Sequence, residues 1–397
     1  MSQNPTRYPQ DADEFKRVVA EVQSSDRYKN PLLFAVGSRV FTANGTLASV
    51  RYPVVNGPGQ NTGSAAILIK ALGIEPSGVQ NLSLDAQQLA EVLRYFAPFK
   101  NDGKRHANVE VLQAALQQAV AAGERSPVVA TFIFDDIDPQ GVEDSTLKLY
   151  GLSHRLFKPN QLNLTKIFTK LPNVSWVGDT PMDAEEIDQA LVSAAFGGGS
   201  YAPHMVDKFP LYVHRINAVK MGVRITDQHK VRLGAYLGEG TTLMPGASYI
   251  NFNAGTAGAS MVEGRISSSV FVGAGSDLGG GSSTLGVLSG GNNQPISVGR
   301  NCLLEVNSAL GIPVGDAVVL AAEVAVMASS RVKVEIEGHP LNGQWVKAAE
   351  LVGINAVTFR RNNVNGGLEV VRTRRNIEFA RKLEDGEDIL NGDLHKN

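Results

Sequence analysis

The chain has 397 residues, with 37 lysines and arginines against 39 aspartates and glutamates and a formal net charge of −2. This balance argues against a general binder of nucleic acid or of anionic membranes, because both tasks need a strongly basic surface. No segment has the apolar core of a signal peptide or the roughly 18 apolar residues of a membrane span, and one cysteine cannot build a disulfide framework. We therefore expect a cytoplasmic protein with neither a membrane nor a nucleic-acid partner.

The first 200 residues or so alternate amphipathic segments with apolar, β-branched ones. Helices are predicted over residues 11–23, 82–99, 108–124, 147–158 and 184–199. Strands are predicted over residues 31–41 and 127–136. This pattern is typical of an α/β domain, and it contains neither a phosphate-binding loop nor a dinucleotide-binding glycine motif.

Three kinds of reactive side chain have a structural and a functional interpretation. Asp135, Asp136 and Asp138 follow a predicted strand, where a solvated strand end is favoured over a metal site. His154 lies between two leucines of a predicted helix, which indicates a partly buried structural histidine. Cys302 lies within the repeat described next, where a small buried residue is favoured over a nucleophile.

From Val231 to Val332 an aliphatic residue returns at every sixth position. The members of this series are Leu237 and Leu243; Ile266, Val272 and Leu278; Val298, Leu304 and Leu310; and Val314, Leu320, Val326 and Val332. A period of six fits neither a helix nor a strand, but it is the period of a hexapeptide β-helix. Two breaks in the phase, Tyr249–Ser260 and Gly279–Pro295, are predicted to be loops that project from the coils.

Beyond about Lys333 the six-residue period ends, and residues alternate as in VKVEIEG and LEVVRT. This alternation predicts strands that cap or extend the end of the solenoid. The charged tail, RKLEDGEDILNGDLHKN, is predicted to be frayed. The expected organisation is an α/β domain over residues 1–205, a parallel β-helix over 206–335 and a small β-rich segment over 336–397.

Three motifs, MVEGRISSSVFVGAGSDLGGGSST, LSGG and TFRRNN, occur in this order along the chain. In them the chain resembles the tetrahydrodipicolinate N-succinyltransferase family, in the longer form found in actinobacteria and pseudomonads. The resemblance is dense from Val223 to Val332, returns at TFRRNN, and extends weakly upstream to LSHRLFKP and LPNVSW. The first hundred residues contribute no motif to it.

The resemblance implies a homotrimer of left-handed β-helices with active sites between neighbouring subunits. It also implies transfer of a succinyl group from succinyl-CoA to tetrahydrodipicolinate. The product is N-succinyl-2-amino-6-oxopimelate, on the route to diaminopimelate and lysine.

Glu263 is the predicted catalytic residue. It is the only carboxylate between Gly240 and Ser276, and it stands beside a glycine and Arg265 where the six-residue phase is disturbed. Attack on a thioester needs a base and a few N–H donors, so a general base is the simpler role. The resemblance implies another role, an acyl anhydride on this glutamate. A solvated turn glutamate paired with Arg265 is the structural alternative.

The resemblance also assigns contacts with the CoA molecule. These fall on Arg265, Gly280, Ser283, Val306, Ala321, Ala322, Arg360, Arg361, Asn362 and Asn363. Guanidinium forks suit phosphate groups, and small side chains suit a closely packed pantetheine arm.

The sequence departs from the family pattern at several positions. Lys230 and Ala247 stand where Mg²⁺-binding relatives have two carboxylates, so we expect no metal. Ala321, Ala322 and Glu323 stand where many relatives have a Glu-Ala-Gly run, and Glu305 replaces a glycine. Two alternatives therefore stay open, namely an acyl-CoA N-acyltransferase for a different amino acid and a β-helical binding protein without catalysis.

Overall fold

The computed structural model describes residues 8–100, 102–291 and 293–395, and the chain divides into two compact units. The amino-terminal unit extends to Gly151 and includes Leu162–Pro210, whereas the carboxy-terminal unit contains Leu152–Gln161 and everything from Leu211. Within the described ranges, none of the helices combines the length and apolar character needed to cross a membrane.

The amino-terminal half of the chain contains seven described α-helices and seven described strands. The helices are α1 Ala12–Gln23, α2 Thr62–Leu72, α3 Ala86–Tyr95, α4 Ala107–Ala122, α5 Val142–Ser153, α6 Ile167–Lys170 and α7 Ala184–Ala195. The strands are β1 Leu33–Phe41, β2 Leu47–Arg51, β3 Val79–Ser83, β4 Val128–Ile133, β5 Val174–Val177, β6 Thr180–Met182 and β7 Met205–Asp207.

An antiparallel sheet in the order β2-β1-β4-β3 forms the centre of the amino-terminal unit. Every residue of β4 is buried, which agrees with its continuous apolar sequence. The predicted helices α1, α3, α4 and α7 are confirmed, and Asp85 begins α3 with a capping box to Gln88. The predicted end of the fifth helix at Lys158 was wrong. Helix α5 ends at Ser153, and Arg155 adopts a left-handed φ of 62°, which an α-helix cannot contain.

The carboxy-terminal unit consists mainly of short strands. They are β8 Arg224–Ile225, β9 Tyr236–Leu237, β10 Thr241–Leu243, β11 Tyr249–Ile250, β12 Gly255–Thr256, β13 Ser260–Val262, β14 Arg265–Ile266, β15 Phe271–Val272, β16 Ser276–Leu278, β17 Ser283–Thr284, β18 Ser297–Val298, β19 Leu303–Leu304, β20 Ala309–Leu310, β21 Val319–Leu320, β22 Ala325–Val326, β23 Arg331–Glu335, β24 Trp345–Lys347, β25 Thr358–Arg361 and β26 Leu368–Val371. The two helices are α8 Val287–Gly290 and α9 Arg374–Glu384.

Successive short strands are distributed over three sheets whose neighbouring coils pair in parallel. The orders are β9-β12-β15-β18, β11-β14-β17-β20-β22 and, within a longer sheet, β8-β10-β13-β16-β19-β21. All the aliphatic residues of the six-residue series are buried, each 3% exposed or less. This arrangement is consistent with a parallel β-helix whose neighbouring coils share an aliphatic interior.

The predicted loop at Tyr249–Ser260 was wrong. Ile250 and Thr256 continue the interior series, are fully buried, and belong to the paired strands β11 and β12. The six-residue phase is disturbed here for two reasons: Leu243 and Ile250 are seven residues apart, and the next interior residue, Thr256, is polar. The Thr256 hydroxyl lies 2.6 Å from the Thr241 hydroxyl inside the coil. The second predicted loop is real but shorter, because Thr284 still pairs in β17 and the chain leaves the coil only afterwards.

The final segment extends the longest sheet, as the alternating sequence predicted. β25 pairs in parallel with β21, and β26, β23 and β24 complete a ten-stranded sheet. The described part of the tail was wrongly predicted to be frayed: α9 has Thr373 as its N-cap with a capping box, and Glu387 and His395 contact the coils. Residues 396–397 of the predicted frayed tail lie outside the described residues. Asn301 Nδ2 donates to the Glu387 carbonyl at 2.8 Å, and His395 Nδ1 lies 2.9 Å from the Gly240 carbonyl oxygen.

Candidate active site

The candidate site follows one register row of the ten-stranded sheet. Val262, Leu278, Leu304, Leu320 and Phe359 occupy equivalent interior positions on neighbouring strands. The next residue of each strand forms a second row, here named the active-site row: Glu263, Gly279, Glu305, Ala321 and Arg360. The backbone N–H groups of its first four members bond to the interior carbonyls of the next coil at 2.8–3.0 Å. With strands about 4.8 Å apart, this row spans roughly 19 Å.

Glu263 lies at the tightest turn of the coils. Only Glu263 and Gly264 separate β13 from β14, and a Cβ on Gly264 would lie 2.2 Å from Ser282 Oγ. Glu263 is half-buried, and Gly280 lies close to it, since a Cβ on Gly280 would be 3.6 Å from Glu263 Oε2. The predicted catalytic carboxylate and the predicted glycine contact therefore meet at one end of the active-site row.

Arg265 and Ser283 lie just around this turn. They are register partners on β14 and β17 in the neighbouring sheet. The Arg265 side chain is exposed, whereas Ser283 is 4% exposed and its backbone N–H donates to the Ser308 carbonyl at 2.8 Å. The structure thus places Arg265 where a ligand could reach it, while the Ser283 N–H is already used between coils.

A second carboxylate near Glu263 is absent from the sequence-based prediction. Asp277 lies in β16, paired with Met261, on the strand that leads into the glycine-rich turn. Burial raises the pKa of Asp277, the negative charge of Glu263 raises it further, and His395 opposes the shift. The sequence signal was the aspartate in GAGSDLGGG, but only the register between coils brings it close to Glu263.

The other end of the active-site row opens into a cavity of about 550 Å³. It is lined by Glu305, Ala321, Ala322, Val324, Arg360, Arg361, Asn362, Asn363, Val364 and Glu369. Six of the predicted CoA contacts are therefore brought together. Val306 is beside them, 48% exposed, and its carbonyl accepts the Glu323 N–H at 2.9 Å.

Glu369 organises the floor of this cavity and was missed from the sequence. The residue is 5% exposed, and its carboxylate accepts hydrogen bonds from Arg360 Nε at 2.8 Å and from Asn362 Nδ2 at 2.9 Å. Charge-assisted hydrogen bonds of this kind fix the orientation of the donor groups. The strand-like alternation of LEVVRT was visible, but its partner strand β25 was not.

The aspartates after β4 are held by lysine and amide groups. The ammonium of the fully buried Lys148 lies 2.8 Å from Asp136 Oδ1 and also donates to the carbonyls of Ile137 and Asn163. Asp138 accepts from Asn163 Nδ2 at 3.1 Å. In the described part of the chain no three His, Cys, Asp or Glu residues are grouped to hold a metal ion.

His154 and Cys302 have the structural surroundings that the sequence predicted. Burial lowers the pKa of His154, and the nearby Lys220 acts in the same direction. Cys302 is fully buried in the coil interior, and burial raises the pKa of its thiol to about 12. A protonated, enclosed thiol is a poor nucleophile.

Coils of parallel strands with a buried aliphatic residue at every sixth position are typical of hexapeptide-repeat β-helix proteins. In this chain one row of the coils carries a carboxylate at one end and cationic side chains at the other. A family model described as Tetrahydrodipicolinate N-succinyltransferase N-terminal matches residues 13–169. The match includes residues 13–100, where no motif was recognised in the sequence.

Curated relatives and a solved structure are similar to this chain over 93–97% of its length. A 2,3,4,5-tetrahydropyridine-2,6-dicarboxylate N-succinyltransferase of Sulfurimonas denitrificans is 39% identical, covering 97% of this chain and 99% of the relative. One of the same name from Helicobacter pylori is 36% identical, covering 94% and 99%. A Campylobacter jejuni structure described as a 2,3,4,5-tetrahydropyridine-2-carboxylate N-succinyltransferase superposes with a TM-score of 0.85, at 33% identity, and covers 93% of this chain and 99% of that one. The chain belongs to the tetrahydrodipicolinate N-succinyltransferase family.

Proposed function

We propose that this protein transfers a succinyl group from succinyl-CoA to 2,3,4,5-tetrahydropyridine-2,6-dicarboxylate. Water adds to the ring imine, the ring nitrogen attacks the thioester carbon, and the ring opens to N-succinyl-2-amino-6-oxopimelate. The C–S bond breaks as the amide C–N bond forms, and the released thiolate takes up a proton. The step serves diaminopimelate and lysine synthesis.

The observation that carries this proposal is the length and chemistry of the active-site row. About 13 bonds separate the sulfur of CoA from its first phosphorus, and an extended chain of that size spans roughly 15 Å. The row runs roughly 19 Å from Glu263 to Arg360, which leaves several ångströms for the two side chains. The thioester fits beside Glu263 when the diphosphate is held by Arg360 and Arg361.

We assign Glu263 the role of general base, which accepts the proton of the attacking nitrogen. Gly280 offers a backbone N–H to the thioester oxyanion, and Arg265 pairs with the succinyl carboxylate. Ser283 supports this turn from β17. Val306, Ala321 and Ala322 leave room for the pantetheine arm, and Arg360, Arg361, Asn362 and Asn363 bind the nucleotide end.

The proposal extends to the assembly. We infer a left-handed coil, a homotrimer with each active site between two subunits, and a cytoplasmic enzyme. The working division is residues 1–205, 206–335 and 336–397, with the last segment completing the CoA site. We further propose that no metal is bound at Lys230 and Ala247, since neither side chain offers a carboxylate.

The test is release of CoA thiol from succinyl-CoA with tetrahydrodipicolinate as acceptor. The wild-type chain should release thiol only when both substrates are present, and Glu263→Gln should lower kcat by about 100-fold to 10,000-fold while CoA still binds. Full activity of Glu263→Gln would contradict its assigned role. Transfer to another amino acid, but not to tetrahydrodipicolinate, would overturn the acceptor.

A second measurement separates the base from the acyl anhydride. Succinyl-CoA mixed rapidly with stoichiometric enzyme, without acceptor, should release no burst of thiol if Glu263 is a base. A burst equal to the enzyme concentration, absent in Glu263→Gln, would instead establish the anhydride.

A further inference from the structure

The active-site row does not end at Arg360. In the same register, Arg360 is followed across the sheet by Glu369, then Lys333, then Trp345. Trp345 is 48% exposed on β24, whereas Trp176, the other tryptophan of the chain, is 1% exposed in the amino-terminal unit. An indole with half of its surface in water is available for contact with a planar ligand.

The Trp345 ring leans back toward the predicted phosphate-binding segment. A Cβ on Gly367 would lie 3.3 Å from Trp345 Cη2, so the ring edge lies over the glycine backbone. The backbone N–H of Asn362 donates a hydrogen bond to the Gly367 carbonyl at 2.8 Å. Although Trp345 lies three strands from β25, the edge of its ring is therefore one strand spacing from the segment that carries Arg360 and Arg361.

The surface around the indole is continuous with the cavity at the end of the active-site row. A shallow depression beside the ring is lined by Lys333, Glu335, Trp345, Asn362, Asn365, Gly367, Leu368 and Glu369. Asn362 and Glu369 line the larger cavity as well. A ligand whose phosphates meet Arg360 and Arg361 can therefore reach the indole along this continuous surface, over the start of β26.

We propose that Trp345 is the stacking platform for the adenine base of the acyl-CoA substrate. The assignment rests on the proposed function, because it uses Arg360 and Arg361 as the diphosphate site. About six bonds join the nearer phosphorus to the base through the ribose, a reach of roughly 7 Å, which matches one strand spacing plus the width of a side chain. Stacking on an aromatic face suits a purine, since it needs no base-specific hydrogen bond.

Fluorescence tests the contact directly. Trp176→Phe leaves Trp345 as the sole tryptophan, and titration with CoA should then quench its emission with saturation. Adenosine 3′,5′-bisphosphate should quench it too, whereas 4′-phosphopantetheine, which lacks the base, should bind without quenching. If CoA binds with no change in Trp345 emission, the platform is overturned.

Affinity tests its contribution. Trp345→Ala should raise the Kd for CoA by about 5-fold to 150-fold, the range that alanine substitution of a base-stacking aromatic residue gives, and leave the Kd for 4′-phosphopantetheine unchanged. Trp345→Phe should restore most of the affinity. Phe196→Ala, which removes an 89% exposed aromatic residue from the amino-terminal unit, is the matched control and should bind as wild type.

The outcomes also separate this proposal from the proposed reaction. CoA binding with quenching but no succinyl transfer would overturn the reaction and support the platform. Succinyl transfer by a folded Trp345→Ala protein whose Kd for CoA is unchanged would support the reaction and overturn the platform. If Trp345→Ala fails to fold, the Trp176→Phe titration decides.

Discussion

Glu305 and Arg375 form an ion pair beside the active-site row, with 2.6 Å between Glu305 Oε1 and Arg375 Nη1. The second carboxylate oxygen of Glu305 accepts the Ala322 N–H at 3.1 Å. The pair joins α9 to the coils at the point where Glu305 lies in register beside Ala321. A carboxylate here would repel an anionic CoA, and the guanidinium of Arg375 offsets that repulsion.

Glu305→Gln should therefore tighten CoA binding. The substitution removes the negative charge and leaves Arg375 free to attract phosphate, so we expect a fall in Kd of up to about fivefold, since exposed ion pairs contribute little. Calorimetric titration with CoA at low and high ionic strength measures it, and salt should reduce the difference. Arg375→Gln should raise the Kd for CoA. Equal Kd values for the two variants would contradict an electrostatic effect of this ion pair on CoA binding.

Glu369→Ala should weaken CoA binding by about tenfold and lower Tm. Removing the buried carboxylate abolishes two charge-assisted hydrogen bonds, which lowers Tm. Arg360 and Asn362 are then no longer held in the orientation that binds CoA. Glu369→Gln keeps an acceptor for one donor and should lose less. Glu378→Gln, at an exposed position of α9, is the control, and a Kd for Glu369→Ala within twofold of wild type would refute the positioning role.

Asp277→Asn should stabilise the fold at neutral pH. Burial and Glu263 raise the pKa of Asp277 above its ordinary value of 3.8, so protonation is favoured in the folded state. Its stabilising contribution is complete below about pH 3.8 and is lost as the pH rises through the folded pKa. The Tm of Asp277→Asn should exceed that of wild type at pH 7, and the gap should close toward pH 4.

Asp188→Asn provides the matched control for that experiment. It removes the same charge from an exposed position on α7 and should shift Tm little at any pH. A Tm for Asp277→Asn below that of wild type at pH 7 would show that the ionised carboxylate stabilises the fold.

The coils could be predicted because their interior repeats. Leu304 and Leu320 are buried for the same reason, and each repeat of an aliphatic residue reinforces the phase. Thr256 shows the limit of this approach, because a polar residue satisfied by Thr241 inside the coil looks like a break in the pattern. The six-residue period detects only aliphatic side chains, whereas the coils are held together by backbone hydrogen bonds between strands. A coil with a polar interior residue therefore escapes the pattern.

The missing parts of the candidate site are those that depend on pairing between distant segments. Glu369 is paired with Arg360 through β25 and β26, and its burial depends on that contact. Asp277 approaches Glu263 only through the register of β13 and β16. Trp345 reaches the row through two further strands. No local pattern encodes such a register, so these three residues could not be placed from the sequence.

The thiol of Cys302 should be inert in the folded protein. It is enclosed by the coil, its sulfur lies 3.2 Å from the Gly315 carbonyl oxygen, and the Val318 N–H donates to it at 3.4 Å. With a pKa of about 12, only about one thiol in 10,000 is ionised at pH 8. An aromatic disulfide reagent should therefore label less than a tenth of the native protein over the time in which it labels the unfolded chain completely.

Cys302→Ala separates chemical from packing roles. The alanine removes any thiol chemistry and a small amount of buried volume, so Tm should fall by a few degrees, about 1 kcal/mol, while succinyl transfer and CoA affinity stay within twofold of wild type. Cys302→Val serves as the control for volume, because one methyl group takes the place of the thiol and a second, additional methyl presses on the fully buried interior and should also lower Tm. Loss of transfer in a folded Cys302→Ala protein, together with rapid labelling of native wild type that succinyl-CoA prevents, would place the thiol in the reaction and remove Glu263 from its proposed role.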